Sequence, residues 1–271
     1  MPELPEVETI CRGLQGVLLG KKIVNVSVYA DSLRKPIPRN INRLTKDASV
    51  QQISRKAKYA LIFLDNSHII IMHMGMSGRV IFLRDIHIAG KHDHLVFKFY
   101  DNSHLVYNDP RRFGLVDIIS QDKLSAHPAF SRIGIEPLTK DLNSDSLWAI
   151  LKKTKSPIKN ALLNGKNIAG IGNIYASEIL FEAAISPLRR ADLLSHDELI
   201  RLVAATKKVL RFAIAAGGST LKDYVGVDGK VGSFQDQFKV YNRKECPKCH
   251  YKVDRIAQAG RSTYYCPKCQ E

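Results

Sequence analysis

Four of the five cysteines in this 271-residue chain lie in its last 26 residues. They form two C-x2-C pairs separated by 16 residues, Cys246-Pro-Lys-Cys249 and Cys266-Pro-Lys-Cys269. Each pair offers two thiolates from one tight turn, and two pairs at this spacing suit one tetrahedral zinc ion. The sequence therefore predicts one structural Zn²⁺ with four cysteine ligands, which supplies folding energy that so small a module cannot obtain from burial.

One other motif overlaps the first cysteine pair. Residues 246–250 also satisfy the C-x-x-C-H pattern of c-type haem attachment, but haem would leave Cys266 and Cys269 unexplained. Between the two pairs lie Arg255, Gly260 and Arg261, which a β-hairpin could present to a phosphate backbone.

The second place where chemistry could occur is the N-terminus. If Met1 is removed, Pro2 exposes a secondary amine, and attack of that amine on a sugar C1′ gives a cationic iminium that permits elimination of phosphates. Glu3 beside it is a natural general acid. Alternatively, the prolines stiffen the terminus, while Glu3 and Glu6 favour a helix start through the helix dipole. These residues alone favour the second interpretation.

The charge of the chain indicates a polyanionic partner. The 41 Lys and Arg residues outnumber the 26 Asp and Glu residues, which gives a net charge of +15. Nucleic acid is the first candidate for such a surplus, and an anionic membrane surface is the second. No apolar run is long enough to span a bilayer and the acidic N-terminus is no secretory signal, so we expect a cytosolic protein.

Eight short β-rich segments follow a single amphipathic helix in the first half of the chain. The helix is predicted over residues 6–19, where apolar residues recur at helical spacing. The β-rich segments run over residues 23–29, 50–54, 59–64, 68–74, 79–83, 94–100, 104–107 and 115–119. Closely spaced strands without intervening helices predict a β-sandwich or a barrel.

The pattern becomes helical after Pro137. Helices are predicted over 147–153, 158–163, 173–184 and 197–216, and Ser195 with Glu198 forms a capping box for the last of them. Residues 217–234 contain five glycines and little apolar periodicity, which indicates a loop. Domain limits are expected at 1–133, 134–234 (with the loop 217–234) and 235–271.

Motifs along the whole chain resemble the bacterial formamidopyrimidine-DNA glycosylases. The N-terminal signature is Pro2-Glu3-Leu4-Pro5-Glu6-Val7-Glu8-Thr9. Further matches, in order, are Arg55-Lys56-Ala57-Lys58-Tyr59, Gly75-Met76-Ser77-Gly78, Lys91-His92-Asp93-His94, Asp109-Pro110-Arg111-Arg112-Phe113-Gly114, Gly170-Ile171-Gly172-Asn173-Ile174-Tyr175 and the cysteine module. The related endonuclease VIII branch differs at the N-terminus, so the resemblance favours the oxidised-purine branch.

The resemblance implies a fold and an activity. The expected fold is α+β: an N-terminal antiparallel β-sandwich with an N-terminal helix, then a helical domain containing a helix–two-turn–helix and ending in the zinc-finger hairpin. The expected activity is a bifunctional glycosylase and abasic-site lyase of base excision repair. It would remove 8-oxoguanine and formamidopyrimidines through a Schiff base on the N-terminal proline, followed by β,δ-elimination. The expected partner is double-stranded DNA with oxidised purines or abasic sites, bound by a monomer in the bacterial cytoplasm at the nucleoid.

The resemblance also implies roles for individual residues. Pro2 is the nucleophile and Glu3 the proton donor, whereas Glu6 keeps a structural, helix-side role. The remaining assignments are Lys58 and Arg261 in the catalytic machinery, His92, Arg112 and Asn173 on phosphates, Lys222 in the loop that closes over the everted base, and Met76, Arg111 and Phe113 filling the space that the base leaves.

Three of these residues have other interpretations. An isolated Met or Phe is usually a core residue, but the glycines around Met76 and the proline before Phe113 put both on turns. His92 and His94 lie two residues apart, share a strand face and could pass for a weak metal pair with no evident third ligand.

Two functional classes remain open from the residues alone. The first is the glycosylase and lyase, with zinc as a structural ion. The second is a non-catalytic nucleic-acid-binding protein that needs only its zinc ribbon and its basic charge. Pro2 and Glu3 discriminate between them, since a mere binder has no use for an amine beside a carboxyl group.

Overall fold

The computed structural model describes residues 1–85, 87–219 and 232–271. The chain divides into two compact units. The first is Met1–Ser131 with the described part of Gly217–Ser233, and the second is Arg132–Ala216 with Phe234–Glu271. The division into three domains at residues 133 and 234 stays a prediction. Most of the predicted loop 217–234, including Lys222, lies outside the described residues.

The first unit begins with helix α1, Leu4–Leu18, which confirms the predicted N-terminal helix. It starts two residues earlier than its apolar pattern indicated, because Glu3 caps it and Pro5 fits its first turn. Its buried face includes Val7, Ile10 and Leu14, which are spaced three and four residues apart.

Eight strands of the first unit form two four-stranded antiparallel sheets. The strands are β1 Ile23–Val28, β2 Val50–Lys56, β3 Tyr59–Leu64, β4 His68–His73, β5 Arg79–Leu83, β6 Asp93–Phe99, β7 His104–Asn108 and β8 Leu115–Ser120. Their orders are β1-β6-β7-β5 and β2-β3-β4-β8. All eight predicted strands are confirmed, with ends that differ by at most two residues. The short helix α2, Ile41–Thr45, was not predicted, because five residues are too few to show helical periodicity.

The two sheets and α1 share one hydrophobic core. Leu14 of α1, Ile62 of β3, and Phe97 and Tyr107 of the other sheet all belong to this core, and each is almost fully buried. Side chains on both faces of β4 are buried, which explains why its sequence reads as a continuous apolar run. The predicted sandwich is therefore confirmed.

The second unit consists of helices and one hairpin. Its elements are α3 Ser144–Leu151, α4 Ile158–Leu163, α5 Asn173–Glu182, α6 His196–Ala215, β9 Asp254–Gln258 and β10 Arg261–Tyr265. Helix α5 packs against α4, α6 and β10. Among the described residues, the helices are all too short or too polar to cross a lipid bilayer.

A buried carboxylate on α5 fixes the segment that leads into the cysteine module. Glu178 is 3% exposed, and its oxygens accept hydrogen bonds from the backbone N–H groups of Lys239, Val240 and Tyr241 at 2.8–3.0 Å. Burial raises the pKa of Glu178 above its ordinary value, although the three hydrogen bonds act in the opposite direction. This turn therefore depends on a residue about sixty positions away.

The predicted capping box of α6 generates a stability prediction. Ser195 Oγ accepts a hydrogen bond from Glu198 N at 3.3 Å, and Glu198 Oε2 accepts one from Ser195 N at 2.7 Å. We expect Ser195→Ala to lower the free energy of unfolding by about 1 kcal/mol, because it leaves a helix N–H unsatisfied. Chemical denaturation measures the loss, and Ser195→Asp, which keeps an acceptor, should retain most of the stability. Equal losses in both variants would contradict the capping role.

Candidate active site and zinc centre

The N-terminal residues are buried at the start of α1. Met1 is 54% exposed, whereas Pro2 is buried and Glu3 is 3% exposed. Glu3 is the N-cap residue, and it forms reciprocal hydrogen bonds with Glu6 in the manner of a capping box. In one of them Glu6 Oε2 accepts from Glu3 N at 2.8 Å. A buried carboxyl group thus lies next to the residue whose amine was predicted to react.

Glu6 also holds a distant part of the chain. Its other carboxylate oxygen, Oε1, accepts hydrogen bonds from Ser219 N at 2.7 Å and from Ser219 Oγ at 3.0 Å. Ser219 is the last described residue before the segment 220–231. The sequence indicated a helix-side role for Glu6, which the capping contact bears out, but it gave no sign of the contact with Ser219, 213 positions away.

Lys58 lies in the two-residue turn between β2 and β3. The preceding residue, Ala57, has a φ of 51°, and its carbonyl accepts a hydrogen bond from Arg55 Nη1 at 2.9 Å. Arg55 Nε also donates to Glu8 Oε2 on α1 at 3.1 Å. Arg55 therefore links the turn that carries Lys58 to the helix that begins beside Pro2.

His73 is a residue of this region that the sequence analysis missed. It is 8% exposed, its ring lies 4.8 Å from the ring of Tyr59, and its Nδ1 accepts a hydrogen bond from Gly75 N at 3.0 Å. Burial, followed by the positive charges of Arg34 and Lys58, lowers the pKa of His73 from 6.5 to about 3. The imidazole is therefore a neutral acceptor at physiological pH.

Two exposed turns carry the predicted DNA-inserting residues. Met76 is 42% exposed in the turn after β4, and Phe113 is 45% exposed in the turn after β7. The guanidinium carbon of Arg111 lies 4.5 Å from the centroid of the Phe113 ring. The alternative that Met76 and Phe113 are core residues is wrong, since both project from turns.

Two further residues of the first unit, Arg112 and His92, were predicted to contact phosphates. Arg112 is exposed and has a φ of 55°, and His92 is half-buried just before β6. His94 is 2% exposed, and its Nε2 is hydrogen-bonded to Asp109 O at 2.8 Å. The expectation that the two histidines share a strand face is wrong, because His92 precedes the strand. Neither belongs to a possible metal-binding group within the described ranges.

In the second unit, Asn173 joins the start of α5 to the hairpin. Asn173 Nδ2 donates to Ser262 O at 2.9 Å. The fully buried Lys159 donates from its Nζ to Asn173 Oδ1 at 2.8 Å, to Ser262 O at 3.0 Å and to Thr263 Oγ1 at 2.6 Å. Arg261 precedes these hairpin residues and is exposed. Lys159 thus holds Asn173, which was predicted to bind DNA, against the hairpin strand that begins at Arg261, and nothing in the sequence indicated the burial of Lys159.

The four C-terminal cysteines form a compact sulfur cluster. Their Sγ atoms all lie within 4.8 Å of one another, with 3.9 Å between Cys246 and Cys269 and 3.5 Å between Cys249 and Cys266. A tetrahedral site with Zn–S bonds of about 2.3 Å has S···S edges of about 3.8 Å, so the donor set fits zinc. The hydrophobic core at this site is small: among the described residues, Val240 and Val253 are buried with Cys246 and Cys266, and Phe181 and Tyr264 pack against them in part.

Three family models match successive parts of the chain. Residues 1–116 match the formamidopyrimidine-DNA glycosylase N-terminal domain, residues 133–225 match the formamidopyrimidine-DNA glycosylase H2TH domain, and residues 243–271 match the zinc finger found in FPG and IleRS. The chain therefore carries an FPG-type zinc finger, whose four clustered cysteines can bind one zinc ion.

Similarity extends over the full length of relatives and solved structures. Formamidopyrimidine-DNA glycosylases of Wolbachia pipientis subsp. Culex pipiens (strain wPip) and of Zymomonas mobilis are 47% and 44% identical to this chain, and each alignment covers 100% of both proteins. A Lactococcus lactis FPG mutant in complex with Fapy-dG-containing DNA is 31% identical, with a TM-score of 0.92 and full coverage of both chains. The Lactococcus lactis Fpg in complex with DNA containing an abasic site has the same TM-score and 99% coverage.

The sulfur cluster generates a prediction about the metal. We expect Cys249→Ser or strong chelation to unfold the hairpin module and to abolish DNA binding while the β-sandwich stays folded, because only the small module depends on zinc. Zinc content reports on the metal site, β-sheet circular dichroism reports on the folding of the β-sandwich, and DNA affinity reports on binding. Cys11→Ala, which removes the one cysteine outside the cluster, should keep its zinc. Full DNA binding in a verified zinc-free sample would contradict the assignment.

The buried imidazole generates a prediction about pH. Because the pKa of His73 is about 3 in the folded protein and 6.5 when unperturbed, the unfolded state binds a proton that the folded state does not. Stability should therefore fall as the pH is lowered from about 6.5 to about 3. His73→Asn, which keeps an acceptor for Gly75 N, should show a shallower fall when unfolding is measured across this range. An unchanged pH slope would show that His73 is not the responsible group.

Proposed function

The chain belongs to the formamidopyrimidine-DNA glycosylase family, whose members are DNA repair glycosylases with abasic-site lyase activity, and we propose that it excises oxidised purines through the amine of Pro2. The substrates are 8-oxoguanine and formamidopyrimidines in double-stranded DNA, and abasic sites. The observation that carries this proposal is the buried start of α1, where Pro2 and the residue that follows it, Glu3, are both buried.

The chemistry follows from these two groups. After removal of Met1, the secondary amine of Pro2 attacks C1′ of the damaged nucleotide and the bond from C1′ to the base breaks. The base leaves with the bonding electrons and takes up the proton that the amine nitrogen loses. Glu3 donates a proton to the sugar ring oxygen, which opens the ring and leaves an iminium between the proline nitrogen and C1′. The iminium withdraws electrons, so that loss of a proton from C2′ expels the 3′ phosphate and a second elimination expels the 5′ phosphate.

The contacts of Glu6 support this arrangement. Glu6 holds the backbone of Glu3 from inside the protein, and the nucleophile is the residue immediately before Glu3. Restricting this short terminus reduces the entropic cost of bringing the amine to C1′. Lys58, on the turn braced by Arg55, supplies a positive charge that we assign to a phosphate near the lesion and to tuning of the nearby proton transfers.

The remaining residues would hold and distort the duplex. We assign phosphate contacts to His92 and Arg112 in the first unit and to Asn173 and Arg261 in the second. The exposed Met76, Arg111 and Phe113 would occupy the space that the everted base leaves, which offsets part of the cost of unstacking. A DNA contact of Lys222, in the loop 217–234, stays a prediction.

The relatives support both the substrate and the setting of the proposal. The Lactococcus lactis structures contain Fapy-dG or abasic-site DNA, and the similar proteins named above come from bacteria. The net charge of +15 suits binding to the DNA backbone. We therefore propose that the protein acts in base excision repair on the bacterial chromosome, in the cytoplasm.

Blocking the N-terminal amine tests the proposed nucleophile. A protein that retains Met1, or that carries an N-terminal tag, should bind 8-oxoguanine DNA but fail to cut it, because an amide nitrogen cannot form an iminium. Borohydride reduction should trap the processed protein on the DNA, and peptide mass spectrometry should locate the adduct on the peptide that begins at Pro2. An adduct on Lys58 would keep the lyase activity but overturn the assignment of the nucleophile.

Variants of the two residues separate their roles. Pro2→Gly keeps a primary amine and should weaken trapping without abolishing it. Glu3→Gln keeps the amine but removes the proton donor, and it should slow base removal about 10²-fold or more. On a pre-formed abasic site, the loss for Glu3→Gln should be smaller, because no base remains to be expelled. Equal losses on both substrates would contradict the role given to Glu3.

A further inference from the structure

The two exposed turns of the β-sandwich are in contact through their backbones. Gly75 has a φ of 59°, and a Cβ atom there would lie 2.4 Å from the carbonyl carbon of Phe113. A Cβ atom on Gly114 would lie 1.7 Å from Tyr107 Oη. Only glycine fits at such distances, so the chain brings the turn that carries Met76 flush against the turn that carries Phe113.

A buried carboxylate fastens these turns together. Asp109 is 0% exposed, and its Oδ1 accepts hydrogen bonds from Ser77 Oγ at 2.6 Å and from Arg111 N at 3.3 Å. Its Oδ2 accepts one from Gly114 N at 2.8 Å. Ser77 Oγ in turn accepts a hydrogen bond from Arg111 N at 3.2 Å. We call this set of contacts the Asp109–Ser77 clasp.

The backbone of Asp109 extends the same network to the phosphate-binding side. Asp109 N donates to His92 O at 3.0 Å, and Asp109 O accepts from Arg112 N at 3.2 Å and from the His94 ring at 2.8 Å. The left-handed conformation of Arg112, with its φ of 55°, is therefore held from inside the protein. Among the described residues, Asp109 thus bonds to the backbone of His92 and of the Arg111–Phe113 turn, and to the side chain of Ser77 in the Met76 turn.

We propose that Asp109 and Ser77 are positioning residues for base eversion, because their clasp makes the Met76 turn and the Arg111–Phe113 turn one rigid element that enters the DNA. This inference rests on the proposed function and deepens it. Side chains that replace a stacked base offset the cost of eversion only if the backbone behind them does not yield. Separate turns would yield independently, whereas clasped turns hold Met76 and Phe113 at a fixed spacing.

Ser77→Ala tests the clasp, since it removes the hydroxyl that joins the two turns and leaves the other Asp109 contacts in place. Single-turnover excision of 8-oxoguanine is measured on two duplexes, one with cytosine opposite the lesion and one with an abasic analogue there. On the first duplex we expect the rate to fall about tenfold or more. On the second, where no partner base is lost on eversion, the change should stay within about twofold.

Matched variants separate positioning from general damage. Ser77→Thr keeps the hydroxyl and should restore the rate on the cytosine duplex. Ser103→Ala removes an equally short hydrogen bond, 2.6 Å from Ser103 Oγ to Asp101 Oδ1, at the other end of β7, and should affect neither duplex. In the unaltered protein, both carboxylate oxygens of Asp109 accept hydrogen bonds. Asp109→Asn replaces one of these oxygens with an NH₂ group, so it should reproduce the selective loss of Ser77→Ala.

The outcomes distinguish a positioning role of the Asp109–Ser77 clasp from a general defect of the enzyme. A loss confined to the cytosine duplex in Ser77→Ala and Asp109→Asn supports the clasp. Equal losses on both duplexes, or no loss on either, overturn it, because a chemical or purely structural defect does not depend on the opposite base. If the unaltered protein excises 8-oxoguanine from neither duplex, the proposed function itself fails, and this result is distinct from a failure of the clasp.

Discussion

A buried carboxylate needs hydrogen-bond donors for both of its oxygens, and in this protein that requirement fixes the irregular segments around the site. Glu6 accepts from Glu3 N at the start of α1 and from Ser219, which directly precedes the segment 220–231. Asp109 does the same for two turns of the sandwich. Glu178 does so for the turn that leads into the zinc module. Each of these carboxylates organises backbone that belongs to neither a helix nor a sheet.

The regular elements serve as a rigid support for these segments. The β-sandwich has one continuous core. The described residues of this unit to which we assign roles in chemistry or DNA contact lie at the ends of the sandwich, on turns and at the N-terminus of α1. Ala57 and Arg112 adopt positive φ values, a conformation that residues with side chains reach only under constraint. Both belong to turns on which we place DNA contacts.

In the second unit, a metal site and a buried lysine support the hairpin. A zinc-binding hairpin has little core of its own, so it depends on the metal and on contacts with the helices. Lys159 provides one such contact, because its three donors reach Asn173, Ser262 and Thr263 from a fully buried position. The start of α5 and the hairpin that carries Arg261 are thereby held as one surface. An interior lysine is costly unless its donors are satisfied, and the three hydrogen bonds of Lys159 match the three N–H donors of its ammonium group.

The sequence by itself determined much of this protein, because some signals are local. Short β-rich runs predicted all eight sandwich strands, and helical patterns predicted α1 and the helices α3–α6 of the second unit. The two C-x2-C pairs predicted the sulfur cluster. A strand or a metal knuckle is specified by residues within a few positions of one another, so its pattern is visible without a fold. The chemistry of Pro2 and Glu3 was also readable, but only the distant motifs favoured it over a capping role.

Only the tertiary structure decided which side chains support the site. Glu6 contacts a residue 213 positions away, Ser77 contacts one 32 positions away and Lys159 contacts one 104 positions away. No periodicity records such pairs, since each depends on where the chain returns. The burial of some polar side chains is equally invisible in the sequence: His73 and Lys159 are buried although they are polar. The chemical type of a side chain sets its preference for burial or exposure, but the packing of the whole chain decides whether that preference is met.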